Sequence, residues 1–224
     1  MGYATLNGNR IVRGSITIPL YGAWSGDVLL AEPAAIPTPS LLAFGNLALT
    51  GTAYRTGAFA GSQWARLVAG YGGWRKPLPA RQYIRAQGIN ASTVLRDAAA
   101  EVGEQVVIAE DYVIGQQYVR PGPSSADPAP ACRVLRQLGG DLWWIDGAGV
   151  TQVGPRPTLV IVSPFTVVDW DAGLGKFQIA TEDLASWLPG NTFSAPTVPT
   201  TQTISSATLA VDDRGVLRLE VLSE

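Results

Sequence analysis

Short runs of alternating apolar and polar residues, each cut off by glycine or proline, restrict the fold of this chain more than any other feature. Ile16, Ile18 and Leu20 alternate with Ser15, Thr17 and Pro19, and Leu47 and Leu49 alternate with Asn46, Ala48 and Thr50. A period of two sends successive side chains to opposite faces, so both runs read as half-buried strands. Residues 64–69 (WARLVA) form a third run. Between the runs fall Gly22, Gly26, Pro33, Pro37, Pro39, Gly51, Gly57, Gly61 and the glycine-rich stretch 70–73. Several short strands at such spacing predict a β-sandwich or β-barrel over residues 10–80.

The period changes at residues 92–103. Val94, Leu95, Ala98, Ala99 and Val102 share one helical face, Ser92 is placed to cap it and Gly103 to stop it. A second helix is predicted over 128–139. Asp127 is its cap, Pro128 its first residue, and Ala131, Leu135 and Leu138 share a face before Gly139 and Gly140. The intervening segment 121–130 (PGPSSADPAP) reads as an exposed loop. Residues 142–145 and 150–153 read as a hairpin turning at Asp146-Gly147 or at Ala148-Gly149. Residues 159–162 and 165–170 read as further strands. A Pro/Thr-rich stretch, 194–203, leads to a last hairpin with arms 207–211 and 216–221 around 212–215 (DDRG).

Composition narrows the function classes. Charged residues make up 15% of the 224 and hydrophobic residues 46%, against about 25% charged in ordinary soluble domains. Either a large core or neighbouring proteins must cover the apolar surface. No apolar run reaches the roughly 18 residues of a membrane-spanning helix. The start, MGYATLNGNR, lacks the basic and apolar regions of a signal peptide. A net charge of −2 offers no basic face for duplex nucleic acid. There is no histidine, which removes the commonest general base, the commonest metal ligand and the usual partner of a nucleophilic Ser or Cys. The single cysteine, Cys132, permits no internal disulfide and reads as a small core residue of the second helix.

Few side chains group in a way that carries chemistry. Asp169 and Asp171 share a strand face beside Trp170, with Asp183 nearby, and either bind Ca2+ or face solvent. Glu101, Glu104, Glu110 and Asp111 are the carboxylates available for a glycosidase pair, although Glu101 and Glu104 fall on the polar side of the predicted helix. Asn90-Ala91-Ser92 matches a glycosylation acceptor and carries no meaning without a secretory signal. The 70–73 stretch lacks the Lys-Ser/Thr pair of a phosphate cradle. No catalytic residue, cofactor site or metal site is assigned. Arg75, Lys76, Arg81 and Arg85 follow Trp74, and either grip an acidic partner or form a solvated connection between domains. Aromatic side chains dominate both cores and interfaces. Trp24, Tyr54, Trp64 and Trp74 are the candidates for intersubunit or interdomain anchors.

Residues 8–30 (GNRIVRGSITIPLYGAWSGDVLL), 45–83 (GNLALTGTAYRTGAFAGSQWARLVAGYGGWRKPLPARQY) and 92–104 (STVLRDAAAEVGE) resemble the tail hub proteins of Mu-like and related tailed phages, whose relatives include late control D-type baseplate hubs. The likeness is best over 8–105. Residues 130–157 (PACRVLRQLGGDLWWIDGAGVTQVGPRP) follow the same order of elements, and LASWLPGNTF (184–193) with the terminal hairpin resembles the start of a spike-initiating module. The resemblance rests on a pattern of strand, turn and helix, not on a catalytic motif.

It implies a mainly β protein with a small α+β segment: β-barrel or sandwich hub domains and a short C-terminal β-hairpin module. The expected division is 1–85 as an N-terminal barrel-like domain, 86–156 as the α+β segment, and 157–224 as a second β segment. The expected role is structural and non-enzymatic, a homotrimeric hub in the virion tail or baseplate, assembled in the host cytoplasm and joining tube, distal tail and spike proteins. The alternatives are a tail-tip receptor or carbohydrate-binding module and a cell-wall hydrolase.

Overall fold

The computed structural model describes residues 4–59, 61–124, 131–196, 198 and 200–223. The chain is mainly β, with 16 strands and two α-helices among the described residues. Its first six strands are β1 (Thr5–Leu6), β2 (Asn9–Pro19), β3 (Ser25–Leu30), β4 (Ser40–Phe44), β5 (Leu47–Phe59) and β6 (Ser62–Ala69). They pair antiparallel in the order β1-β4-β5-β6-β3-β2, and β2 returns to β1, so the barrel closes. The alternation read from the sequence is present: Ile16 and Ile18 on β2, Leu47 and Leu49 on β5, and Ala65 and Leu67 on β6 are buried. Leu20 lies just past the end of β2.

A bend in β5 makes the corner. Its residues 47–51 pair with β4 and its residues 51–59 with β6, so Gly51 is where the strand changes neighbour. A Cβ at Gly51 would lie 2.4 Å from Cη2 of Trp24 and 2.7 Å from the Val68 carbonyl oxygen. The indole of Trp24 therefore fills the corner only because residue 51 has no side chain.

The α+β segment follows. β7 (Arg81–Asn90) pairs with β9 (Val113–Arg120) as an antiparallel ribbon, and β8 (Val106–Ile108) pairs parallel with β11 (Thr151–Val153), which pairs antiparallel with β10 (Trp143–Ile145). α1 (Ala91–Val102) and α2 (Ala131–Gly139) pack together. The basic cluster is only partly a connection, because Arg81 and Arg85 lie on β7. The turn between β10 and β11 uses both predicted dipeptides, with Gly149 donating to the Asp146 carbonyl at φ +86°.

α1 buries Val94, Leu95, Ala98, Ala99 and Val102, the face predicted from spacing. Its start differs from the prediction. Asn90 occupies the N-cap and makes no side-chain cap bond, while Ser92 lies inside the first turn. The cap comes from across the fold: Asp111 accepts from the Ser92 backbone N–H at 3.0 Å, the Ser92 hydroxyl at 2.5 Å and the Asn90 amide at 2.9 Å. A carboxylate there also meets the positive end of the helix dipole. α2 starts at Ala131; its expected cap Asp127, Pro128 and the 125–130 part of the predicted loop lie outside the described residues.

The last strands are β12 (Phe165–Asp171), β13 (Lys176–Thr181), β14 (Thr192–Phe193), β15 (Gln202–Val211) and β16 (Leu217–Ser223). They extend the barrel wall: β15 pairs with β2, and the sheet continues β15-β16-β13-β12, all antiparallel. Phe165, Phe177, Trp187 and Phe193 cluster beneath it, with ring centroids 4.9 Å apart for Phe165–Trp187 and 5.2 Å for Phe177–Phe193. The β15–β16 hairpin turns where predicted. The Asp212 carboxylate accepts from the Arg214 and Val216 backbone N–H groups, and Gly215 sits at φ +75°. Residues 159–162 do not form the expected strand. They make one isolated parallel bridge, Val160 to Thr192, and of the four only Ile161 is buried.

Two outcomes follow for α1. Leu95 is fully buried, so Leu95→Ala should cost about 2–5 kcal/mol in denaturant unfolding; a change within about 0.5 kcal/mol would mean that the helix face is not core. Asp111→Ala should cost about 0.5–2 kcal/mol at neutral pH. Chiefly the Ser92 hydroxyl holds the Asp111 carboxyl below the usual carboxylate range. Its contribution is therefore present above that range and lost as pH falls through the lowered value. Wild type and Asp111→Ala should converge in acid, and a difference that persists there would contradict the capping role.

Candidate assembly surface

Eight strands form one uninterrupted antiparallel sheet across the molecule: residues 52–59 of β5, then β6, β3, β2, β15, β16, β13 and β12. One face is the core. Register defines the other. Thr52, Val68, Ser25, Thr17, Thr208, Glu220, Gln178 and Asp169 lie opposite one another in a row from end to end. A second row runs Arg55, Arg66, Asp27, Ser15, Ala210 and Arg218. The face is polar and self-paired. The Thr17 and Thr208 hydroxyls are 3.2 Å apart, Lys176 meets Glu220 at 2.8 Å, and Arg218 meets Asp212 at 3.1 Å. Exposed ion pairs of this kind contribute little stability. A shallow groove of about 570 Å³ crosses it between Arg13, Ser15, Leu29, Trp64, Ala210 and Arg218.

The four aromatic candidates separate into two pairs. Trp24 and Trp74 are buried inside the chain, at 1% and 6% exposure. Trp24 fills the barrel corner, and the Trp74 indole N–H donates to the Thr151 hydroxyl at 2.8 Å, fixing the barrel to the α+β segment. Neither is available on the surface of the chain. Tyr54 and Trp64 are exposed at 41% and 37%. Trp64 lines the groove. Tyr54 occupies a bulge in β5, with the Arg75 guanidinium 3.6 Å from its ring centre and Arg55 at 5.3 Å.

The carboxylates singled out as catalytic or metal-binding candidates are mostly engaged elsewhere. Glu101 pairs with Arg120 at 2.6 Å and Arg81 at 3.2 Å. Glu104 is not on a solvated helix face. The chain leaves α1 through Gly103 at φ +80°, and Glu104 turns inward, where it accepts from the Gly73 N–H at 2.5 Å and the Tyr71 N–H at 3.3 Å. Burial pushes its carboxyl up from the ordinary value, against the pull of those N–H groups. Glu110 is exposed and Asp111 caps α1. Asp169 accepts from the Trp170 N–H, Asp171 from those of Gly173 and Leu174, and Asp183 from Ser186 and Asn46. Among the described residues no three His, Cys, Asp or Glu side chains converge to hold a metal ion.

Two of the basic candidates make structural contacts. Lys76 donates to the Val102 carbonyl at the end of α1, and Arg81 pairs with Asp97 and Glu101. Cys132 is half-buried on α2 and borders a cavity of about 260 Å³ together with Trp24, Trp74 and Glu104. Sequence reasoning missed Arg120, whose side chain is wholly buried and donates to Glu101 and the Pro79 carbonyl. A strand ending on an arginine looks solvated until its partners are known. Arg156 was missed too; it lies 4.4 Å from the Trp144 ring centre and donates to the Pro19 carbonyl.

No protein-family model and no curated protein matches the sequence. Solved structures do match the fold over 99% of the chain. A tail protein from Neisseria meningitidis aligns with a TM-score of 0.64 at 13% identity, covering 96% of that chain. A type VI secretion system component from Escherichia coli, itself structurally similar to bacteriophage T4 tail proteins, aligns at 0.61 and 12% identity over 76% of its length. The 43 kDa tail protein of prophage MuSo2 from Shewanella oneidensis aligns at 0.57 and 11% identity over 97%. At such identities the likeness is one of architecture. The chain has the fold of these tail proteins: a closed barrel, a small α+β segment and a further β unit on one continuous sheet.

Proposed function

We propose that this chain is a structural, non-enzymatic subunit of a phage tail, a hub that assembles with copies of itself and joins the tail tube to the central spike or tip. The observation that carries the reading is the eight-stranded sheet, which spans the molecule and, among the described residues, ends at β12 on one side and at residues 52–59 of β5 on the other, each paired along one edge only. Unpaired edges invite another chain, and closure of a ring satisfies them without open-ended growth. In this reading 1–85 is the barrel unit, 86–156 the α+β segment and 157–224 the second β segment. The number three comes from the resemblance to tail hubs. Tube, distal tail and spike proteins are the partners, in a virion tail assembled in the host cytoplasm.

The engagement of the carboxylates supports a role without hydrolysis: Glu101 balances Arg120, Glu104 holds backbone N–H groups and Asp111 caps a helix. The purified chain should release no soluble fragments from peptidoglycan, and release abolished by changing one of these acids would overturn that part. Light scattering over a range of concentrations should give a closed oligomer, with three copies expected. A monomer at every concentration, with no symmetric copies in the particle, would contradict the hub reading and favour a tail-tip binding module.

A further inference from the structure

We infer that the cavity between the barrel and the α+β segment binds a small zwitterion, with a quaternary ammonium group held inside and a phosphate at the mouth. Phosphocholine is the simplest such molecule. The site goes beyond the structural role and does not depend on how copies assemble. The cavity has a volume of about 260 Å³, more than the roughly 150 Å³ that suffices for benzene. Small residues leave it open: Ala69 at the end of β6, Gly72 in the turn that follows, and Cys132 in the first turn of α2.

Three tryptophans from separate parts of the chain wall the cavity: Trp24 between β2 and β3, Trp74 after β6, and Trp143 on β10. No ring contact joins any two of them among the described residues, so they stand around the space instead of stacking across it. Aromatic walls attract a weakly hydrated organic cation through the ring quadrupole. Trp24 is held by the corner at Gly51 and Trp74 by its bond to Thr151, so the wall is preformed. The Trp24 indole N–H is buried and has no acceptor among the described residues. A buried donor without a partner is uncommon in a folded chain, and an oxygen of a bound molecule is one way to satisfy it.

The two charged groups of the lining set the polarity of the guest. Glu104 is buried, and no Lys or Arg forms an ion pair with it among the described residues. Lys76, which acts on it at a distance, is bonded to the Val102 carbonyl. A cation inside the cavity supplies the opposite charge that Glu104 lacks and favours the ionised form that burial disfavours. Arg75 is the exposed member of the lining; it lies 3.6 Å from the Tyr54 ring centre and has no carboxylate partner among the described residues. A guanidinium at the mouth opposes a plain cation and pairs well with phosphate. An inner carboxylate, an aromatic wall and an outer guanidinium together match a molecule positive at one end and negative at the other.

Calorimetric titration of the full chain with phosphocholine, choline and dimethylbutanol, the uncharged carbon isostere of choline, tests the site. Phosphocholine should bind at least about tenfold more tightly than the isostere, with choline between them. Arg75→Gln should weaken phosphocholine about tenfold and leave choline unweakened. Cys132→Phe, which fills the cavity, should abolish binding of all three. Glu104→Gln should remove the preference for choline over the isostere. Glu104 also holds the 71–73 turn, so Arg75→Gln and Cys132→Phe, at exposed and half-buried positions, carry the test if that variant does not fold. Sedimentation with phosphatidylcholine vesicles separates the sources: co-sedimentation places the headgroup on a membrane, and binding in solution without it places the headgroup on a soluble carrier. An isostere that binds as tightly as phosphocholine, binding unchanged by Cys132→Phe, or no saturable binding of phosphocholine at millimolar concentrations would overturn the site. None of these outcomes bears on self-assembly.

Discussion

The pairing of β2 on both of its sides is the interaction on which the rest of the molecule depends. Its residues 9–10 close the barrel against β1, its residues 14–19 carry β15, and its residues 11–17 pair with β3. The contact with β3 is unusually close. A Cβ at Gly26 would lie 2.1 Å from the Ser15 carbonyl oxygen, and one at Gly14 would lie 2.7 Å from that of Asp27. Any larger residue at either position must move backbone, not a flexible side chain. The two glycines hold the strands in register, and the register sends Ile16 and Ile18 to the core and Ser15 and Thr17 to the open face. A slip by one residue would exchange those faces.

The α+β segment is attached to this frame by polar groups aimed into buried sites. Trp74 reaches Thr151, Glu104 gathers the N–H groups of the 71–73 turn, and Arg120 crosses to Glu101 and the Pro79 carbonyl. Buried polar atoms are costly unless bonded, so each of these contacts favours one arrangement of the segment over its alternatives. The same cost explains why Glu104, which looks available for catalysis in the sequence, is occupied in the fold.

What was legible in the sequence was local. The α1 face follows from a strong helical period, and the last hairpin from an Asp-Asp-Arg-Gly turn whose Asp side chain holds the backbone that follows it. Residues 159–162 misled because a run of β-branched and leucine residues has strand propensity wherever it falls. Here it finds only Thr192 as a neighbour, and most of it remains exposed. Glu104 misled because the helix ends one residue before Gly103, whose left-handed backbone turns the next side chain inward. The strand at 165–170 was legible, but not that it ends a sheet. That property belongs to the order of strands, and the pairing of β2 with β15 joins residues almost 200 positions apart.

Whether the chain works as a self-assembled tail hub is tested most directly by a reconstruction of the assembled particle by electron microscopy. Symmetric copies arranged as a closed ring between the tail tube and the tip are the expected result. A single copy with no symmetric neighbours would contradict the hub reading.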